Sequence, residues 1–198
     1  MSDAVFDRAR RDIESIGIGF VTTQRAPRPL TGCTEQESQE VLDSAIRILG
    51  RTYRRQGSEG SMGCPRALTV FAGKVGSRCG QTGPEVLEWM QSSLVEMNLL
   101  VEPGKWQLRT ADRGVGLGIR EASSTCWTCG KCRFQHLHRS LGICANSLCD
   151  GVALVPEVQS SRDLRGDYIG WLASQPPVRL NIEELTGQTK PLDEQRRR

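Results

Sequence analysis

Five of the chain's eight cysteines, Cys126, Cys129, Cys132, Cys144 and Cys149, fall within 24 of its 198 residues. Clustering of this kind points to a metal site rather than to a disulfide framework. Two thiolates separated by two residues sit on one tight turn, where backbone N–H groups soften their charge. A second pair from a later turn completes a tetrahedron around zinc. Cys129 and Cys132 make the first pair, with Gly130 easing the turn, and Cys144 and Cys149 make the second across a wider gap. The eleven residues between the pairs suffice for a small ribbon or knuckle. Other ligand sets stay open: Cys126 with Cys129 has the same spacing, and His136 or His138 could replace a thiolate. The bland alternative for both histidines is a place beside the site or in solvent. A redox CxxC belongs at a helix N-terminus in a thioredoxin-like pattern, which is absent around Cys126 to Cys132. Four protein ligands leave no open coordination position, so the zinc is expected to be structural.

The remainder of the chain predicts an α+β architecture in four segments. Residues 1–34 hold a short helical stretch, Val5 to Ile16, and a Gly/Pro-marked loop. Residues 35–120 carry the clearest helix, about Glu35 to Arg55, with Val41, Leu42, Ala45, Ile46 and Leu49 on one face. Thr34 and Glu37 stand as a capping box. Acidic residues lie early and Arg47, Arg51, Arg54 and Arg55 late, as the helix dipole favours; the bland reading of those arginines is a solvated helix end. A shorter helix is expected over Arg66 to Ala72. Another begins at Pro84, suited to a first helical position, and runs to about Leu99. Two short strands then flank Pro103-Gly104, a pair suited to a type II turn. Three helices followed by a hairpin is the order of a winged helix. Its third helix would be the one to enter a DNA groove, yet it carries Glu85, Glu88 and Glu96 and neither Lys nor Arg. Residues 121–157 form the zinc ribbon or knuckle, and residues 158–198 a partial α/β segment.

Charge is nearly balanced, with 26 Lys+Arg against 23 Asp+Glu. That excludes a histone-like polycation or an acidic tail, but not a local basic patch. From Lys105 to Arg139 there are seven basic residues and two acidic ones. Lys105, Arg109, Arg113, Lys131, Arg133 and Arg139, with Trp106, Trp127 and Phe134 interleaved, are the candidate nucleic-acid surface. The rival reading makes Trp106 and Phe134 core and the charges solubilising. No apolar run approaches the length of about 18 residues needed to cross a membrane, and the charged start MSDAVFDRARRD does not suit a signal peptide. A cytoplasmic protein is expected.

The last segment reads as a helix from Asp163 to Ser174, a strand from Val178 to Leu185, a turn through Thr186-Gly187-Gln188-Thr189 and a helix start ending in Arg196 to Arg198. Together with Cys129, Cys132, His136, His138, Cys144, Cys149 and Glu184 to Thr189, it resembles the middle region of large bacterial DEAD/DEAH-box helicases, including those of phage defence. The resemblance implies a winged helix and a zinc segment lying before the second RecA-like lobe. It also implies helicase motor domains as partners and DNA as the ligand. No GxxxxGK[ST] loop occurs, and Asp193-Glu194-Gln195 lacks a preceding buried strand, so the chain carries no ATPase motif of its own. A non-catalytic part of a larger or split protein is the expectation. A protein-docking adaptor and a stand-alone winged-helix transcription regulator are the alternatives.

Overall fold

Thr34 opens the central helix as expected: its hydroxyl accepts from the Glu37 N–H at 3.2 Å, and the Glu37 carboxylate returns to the Thr34 N–H at 2.9 Å. The computed structural model describes residues 5–6, 12–15, 17–56, 62–110, 116–123, 125–146, 148–149 and 153–158. Helix α1 spans Glu35–Arg51, α2 Arg66–Cys79 and α3 Gly83–Glu96. Strands β1 (Gly19–Thr23) and β2 (Leu117–Glu121) form one antiparallel pair. Strands β3 (Thr125–Cys129), β4 (Gln135–His136) and β5 (Leu154–Val158) form a second sheet in the order β4-β3-β5. The fold is thus mixed α+β, with three helices and two small sheets among the described residues. The chain divides into two compact units, 1–161 and 162–198, and every described residue lies in the first. The expected helix, strand and turn beyond residue 158 lie outside the described residues.

The core is built where the three helices meet. Val41, Leu42, Ala45, Ile46 and Leu49 of α1 pack with Leu68, Phe71, Ala72 and Val75 of α2 and Val86, Met90 and Leu94 of α3. Each side chain is buried, and burial of the larger ones, from Val upward, contributes about 1.5–3 kcal/mol apiece. Helix α2 runs a full turn or more beyond its predicted end at Ala72. Its second half contains Gly73 and Gly76, which lower helix propensity. Gly76 is there for packing: a Cβ on it would stand 2.6 Å from the Gln81 carbonyl, where the chain turns into α3, whereas a Cβ on Gly73 would meet open space. Helix α3 starts one residue before Pro84 and ends at Glu96 rather than Leu99. Thr82 caps it in a second box with Glu85, which the proline at the start concealed.

The segment after α3 makes the expected turn. Lys105 N–H donates to the Glu102 carbonyl at 3.1 Å, and Gly104 takes φ of 83°, as position three of a type II turn requires. The arms do not form full strands. They meet in a single bridge, Leu100 to Leu108, and Leu108 also bridges to Arg55 in the link between α1 and α2. Trp106 is buried in the helical core, as the rival reading had it.

Three further expectations are corrected. Asp12 to Ser15, placed in an N-terminal helix, form a turn in which the Asp12 carboxylate accepts from the Ser15 N–H at 2.7 Å. The predicted loop after it contains β1, whose partner β2 lies almost a hundred residues later and leaves no local signal. Helix α1 ends at Arg51, and its arginines are not a solvated end: Arg47 and Arg55 are each only 4% exposed.

Candidate metal centre

Cys129 closes β3, and the chain turns at once through Gly130 and Lys131 to Cys132. Arg133 N–H donates to the Cys129 carbonyl at 2.9 Å and Cys129 N–H to the Phe134 carbonyl at 2.9 Å, which folds the first cysteine pair into a knuckle. Arg133 sits at φ of 59° to complete it. Strand β5 supports the other side, pairing Cys129 with Leu154. The second pair lies across a wider gap because an asparagine turn fills it. Asn146 accepts from the Leu148 N–H on its side-chain oxygen at 3.2 Å and from the Cys149 N–H on its carbonyl at 3.0 Å.

The two turns face each other. The sulfurs of Cys129, Cys132, Cys144 and Cys149 all lie within 4.8 Å of one another, a group that could hold a metal ion. Cys129 and Cys149 stand 3.7 Å apart and Cys132 and Cys144 3.6 Å. Phe134 and Leu154 cover the cluster. Asn146, which the spacing rules did not single out, reaches two of the sulfurs: its backbone N–H donates to Cys144 at 3.4 Å and its amide to Cys132 at 3.6 Å. An Asn two residues after a candidate ligand is the signal that would have found it. Burial pushes the Cys132 thiol up, but hydrogen bonds from the Phe134 backbone and the Asn146 amide outweigh it and bring the group down to about 7. Cys144 is pushed up by burial and by the adjacent Cys132 and Cys129 sulfurs.

The open ligand alternatives resolve by position. Cys126 points away from the cluster; its thiol contacts the Glu157 carbonyl at 3.5 Å, and it packs with Phe20 and Leu137. His136 and His138 are buried but stand outside the sulfur group. Burial and the Arg47 charge hold His136 well below its usual range, and burial above all holds His138 at about 4. Both imidazoles are therefore neutral at pH 7.

The strip Phe134 to His138 attaches the metal centre to α1. Arg47 forks onto the Asp12 carboxylate with two bonds of 3.0 Å, meets Glu14 at 2.9 Å and donates to the Gln135 carbonyl at 2.8 Å. Its guanidinium also lies 4.3 Å from the centre of the Phe134 ring, with Arg51 at 4.7 Å. Asp12, holding both prongs of the fork, stays ionised, because Arg47 overcomes the cost of burial. Glu14, more desolvated and repelled by Asp12, is pushed up to about 7. Glu14 also accepts the Leu137 N–H at 3.1 Å. Beyond this strip, the Ser44 and Ser140 hydroxyls bond at 2.8 Å, Lys74 of α2 bonds the Cys149 carbonyl, and Ile143 and Ala145 enter the helical core.

Five of the six basic candidates lie among the described residues, in two stretches of the chain. Lys105 pairs with Glu102, and Arg109 turns back on the carbonyls of Leu100 and Val101 at 3.4 and 3.3 Å. Arg113 lies outside the described residues. Lys131, Arg133 and Arg139 are exposed on the cysteine-cluster segment; Arg133 stands 3.8 Å from Glu157 and Arg139 5.9 Å from the Trp127 ring. Phe134 is buried, which leaves it no free stacking face, and Trp127 is half-buried. No described helix is long and apolar enough to cross a membrane. Comparison with protein-family models, curated proteins and solved structures found no match for the chain.

Proposed function

We propose that the chain is a non-catalytic, zinc-stabilised nucleic-acid-binding module of a DEAD/DEAH-box helicase-like protein. The observation that carries the zinc assignment is the sulfur geometry. Zinc–thiolate bonds of about 2.3 Å in a tetrahedron separate the sulfurs by about 3.8 Å, close to the 3.6 and 3.7 Å between opposing pairs. A zinc ion there would be held by four cysteines with no position left for substrate, so its chemistry is cross-linking. The three helices, the hairpin turn and the bridge from Arg55 to Leu108 support a winged-helix reading of the first part. Lys131 and Arg133, on either side of Cys132, and Arg139 offer phosphate contacts from the ribbon rather than from the wing, with little base specificity.

A docking adaptor is the second reading, favoured by α3. That helix exposes Glu85, Glu88, Val95 and Glu96 and has no basic residue with which to follow a phosphate backbone.

Metal analysis of the purified chain is expected to give one zinc per chain, lost in Cys129→Ser and Cys144→Ser; a stoichiometry well below one, or unchanged in both variants, refutes the assignment. Titration of labelled single- and double-stranded DNA at rising salt should give a log–log slope of about −2 to −3 for three phosphate contacts. The triple variant Lys131→Glu, Arg133→Glu, Arg139→Glu should weaken binding at least about tenfold at low salt. Absent or salt-independent binding leaves the adaptor reading.

A further inference from the structure

Two cysteines far from the metal cluster meet each other. Cys33 lies in the loop ahead of α1 and Cys79 is the last residue of α2, and their sulfurs stand 2.6 Å apart. Non-bonded heavy atoms settle at about 3.5–4.0 Å even for the smaller carbon, and the metal-cluster sulfurs keep 3.6 and 3.7 Å. The remaining thiols have other neighbours: Cys64 faces the Pro65 carbonyl and the Thr69 hydroxyl, and Cys126 the Glu157 carbonyl.

The surrounding backbone holds the pair together without help from sulfur. Gly32, at φ of 82°, lies so close to α2 that a Cβ there would stand 2.8 Å from the Cys79 carbonyl. The Gln81 amide donates to the Thr31 carbonyl at 2.6 Å, and Cys33 N–H closes a turn onto the Leu30 carbonyl at 2.9 Å. Both cysteines are half-buried, open enough for a small reagent. Burial and the adjacent Cys79 sulfur push the Cys33 thiol up to about 12, so it keeps its proton at neutral pH until it reacts.

We propose that Cys33 and Cys79 form a redox site: a dithiol that a low-molecular-weight disulfide, of the glutathione disulfide class, oxidises to an intramolecular disulfide. One protein thiolate attacks a sulfur of the reagent, a mixed disulfide forms, and the first reagent thiolate leaves and takes up the proton released. The second protein thiolate then attacks the mixed disulfide. The Cys33–Cys79 bond forms, the protein–reagent bond breaks, and a second reagent thiol departs. The two protein thiols are oxidised, one reagent disulfide is reduced to two thiols, and all atoms are accounted for. The cross-link joins residues 46 apart and fastens the loop before α1 to the end of α2. The site shares no residue with the metal cluster and does not depend on how that cluster is filled.

The test uses the full chain as purified, with its metal, incubated with glutathione disulfide. The expected product has lost two hydrogen atoms in mass, shows a peptide linking Cys33 to Cys79, and unfolds roughly 10 °C higher, an increase reversed by a dithiol reductant. Cys33→Ser and Cys79→Ser should each abolish the cross-link and the shift without changing metal content. Separate glutathione adducts on Cys33 and Cys79, continued full labelling of both by iodoacetamide, or cross-links confined to Cys129 to Cys149 would each overturn the proposal.

Discussion

Asp43 shows how far a single residue can depart from its sequence context. It follows Leu42 in α1 and is 2% exposed, accepting the Gln39 amide at 2.8 Å and the Thr22 hydroxyl at 3.2 Å. Those bonds do not offset the cost of burying a charge, and the carboxyl is pushed up to about 7. An acid whose pKa is raised on folding stabilises the protein most below its unfolded value. That contribution is lost as pH rises from about 4 to 7. Asp43→Asn keeps the shape, and the Thr22 hydroxyl can turn to accept from the new amide. Urea unfolding of both proteins at pH 5 and pH 8 should therefore show the variant gaining on the wild type by on the order of 3 kcal/mol across that range. Glu14 titrates in the same range and its charge raises Asp43, so the difference between the two proteins reads Asp43 together with its coupling to Glu14. An unchanged difference would mean that the carboxyl is ionised throughout.

Elements were legible to the extent that their signals are local. Thr34 and Glu37 mark the start of α1 because a capping box lies within four residues. Thr82 and Glu85 carry the same signal for α3, and the adjacent Pro84 hid it by being a plausible start itself. Thr82→Ala removes the hydroxyl that accepts the Glu85 N–H and should cost about 1 kcal/mol in urea unfolding, with metal content unchanged. A loss of a few tenths or less would mean that water replaces the cap. Strands β1 and β2 had no such signal. Each is five residues long, and its partner is on the far side of all three helices in sequence. The hairpin after α3 was foreseen in its turn, but its arms were expected as two full strands; they meet only at Leu100 and Leu108, and Leu108 is shared with Arg55 while Trp106 fills the helical core.

At the scale of the whole molecule, Arg47 joins three parts of the chain: the turn at Asp12 and Glu14, helix α1, and the strip at Phe134 and Gln135 beside the cysteine cluster. Arg47→Met removes the only charge that both carboxylates meet at 3.0 Å or less among the described contacts. Breaking a buried pair on one side costs about 3–5 kcal/mol, since it strands the remaining charge. Urea unfolding should register that loss; a loss below about 1 kcal/mol would show that water enters and rescues Asp12 and Glu14. The same contacts explain why the cysteine-cluster segment is not a separate bead. Its Ile143 and Ala145 share the helical core, and its backbone satisfies Arg47 and Glu14.

By itself, the sequence determined that a cysteine-rich segment carries the candidate metal site, with Cys126, His136 and His138 still open as ligands, and it determined the three helices. Cys129, Cys132, Cys144 and Cys149 are brought onto turns by spacing alone, and apolar period and caps act within a few residues. Only the tertiary structure decided that Arg47 and Asp43 are buried rather than solvated, that the histidines stand beside the site and not in it, and that Cys33 meets Cys79. The reason is physical: the polar face of α1 reads as a surface by its pattern, and becomes interior only because strands and a ribbon distant in sequence fold over it.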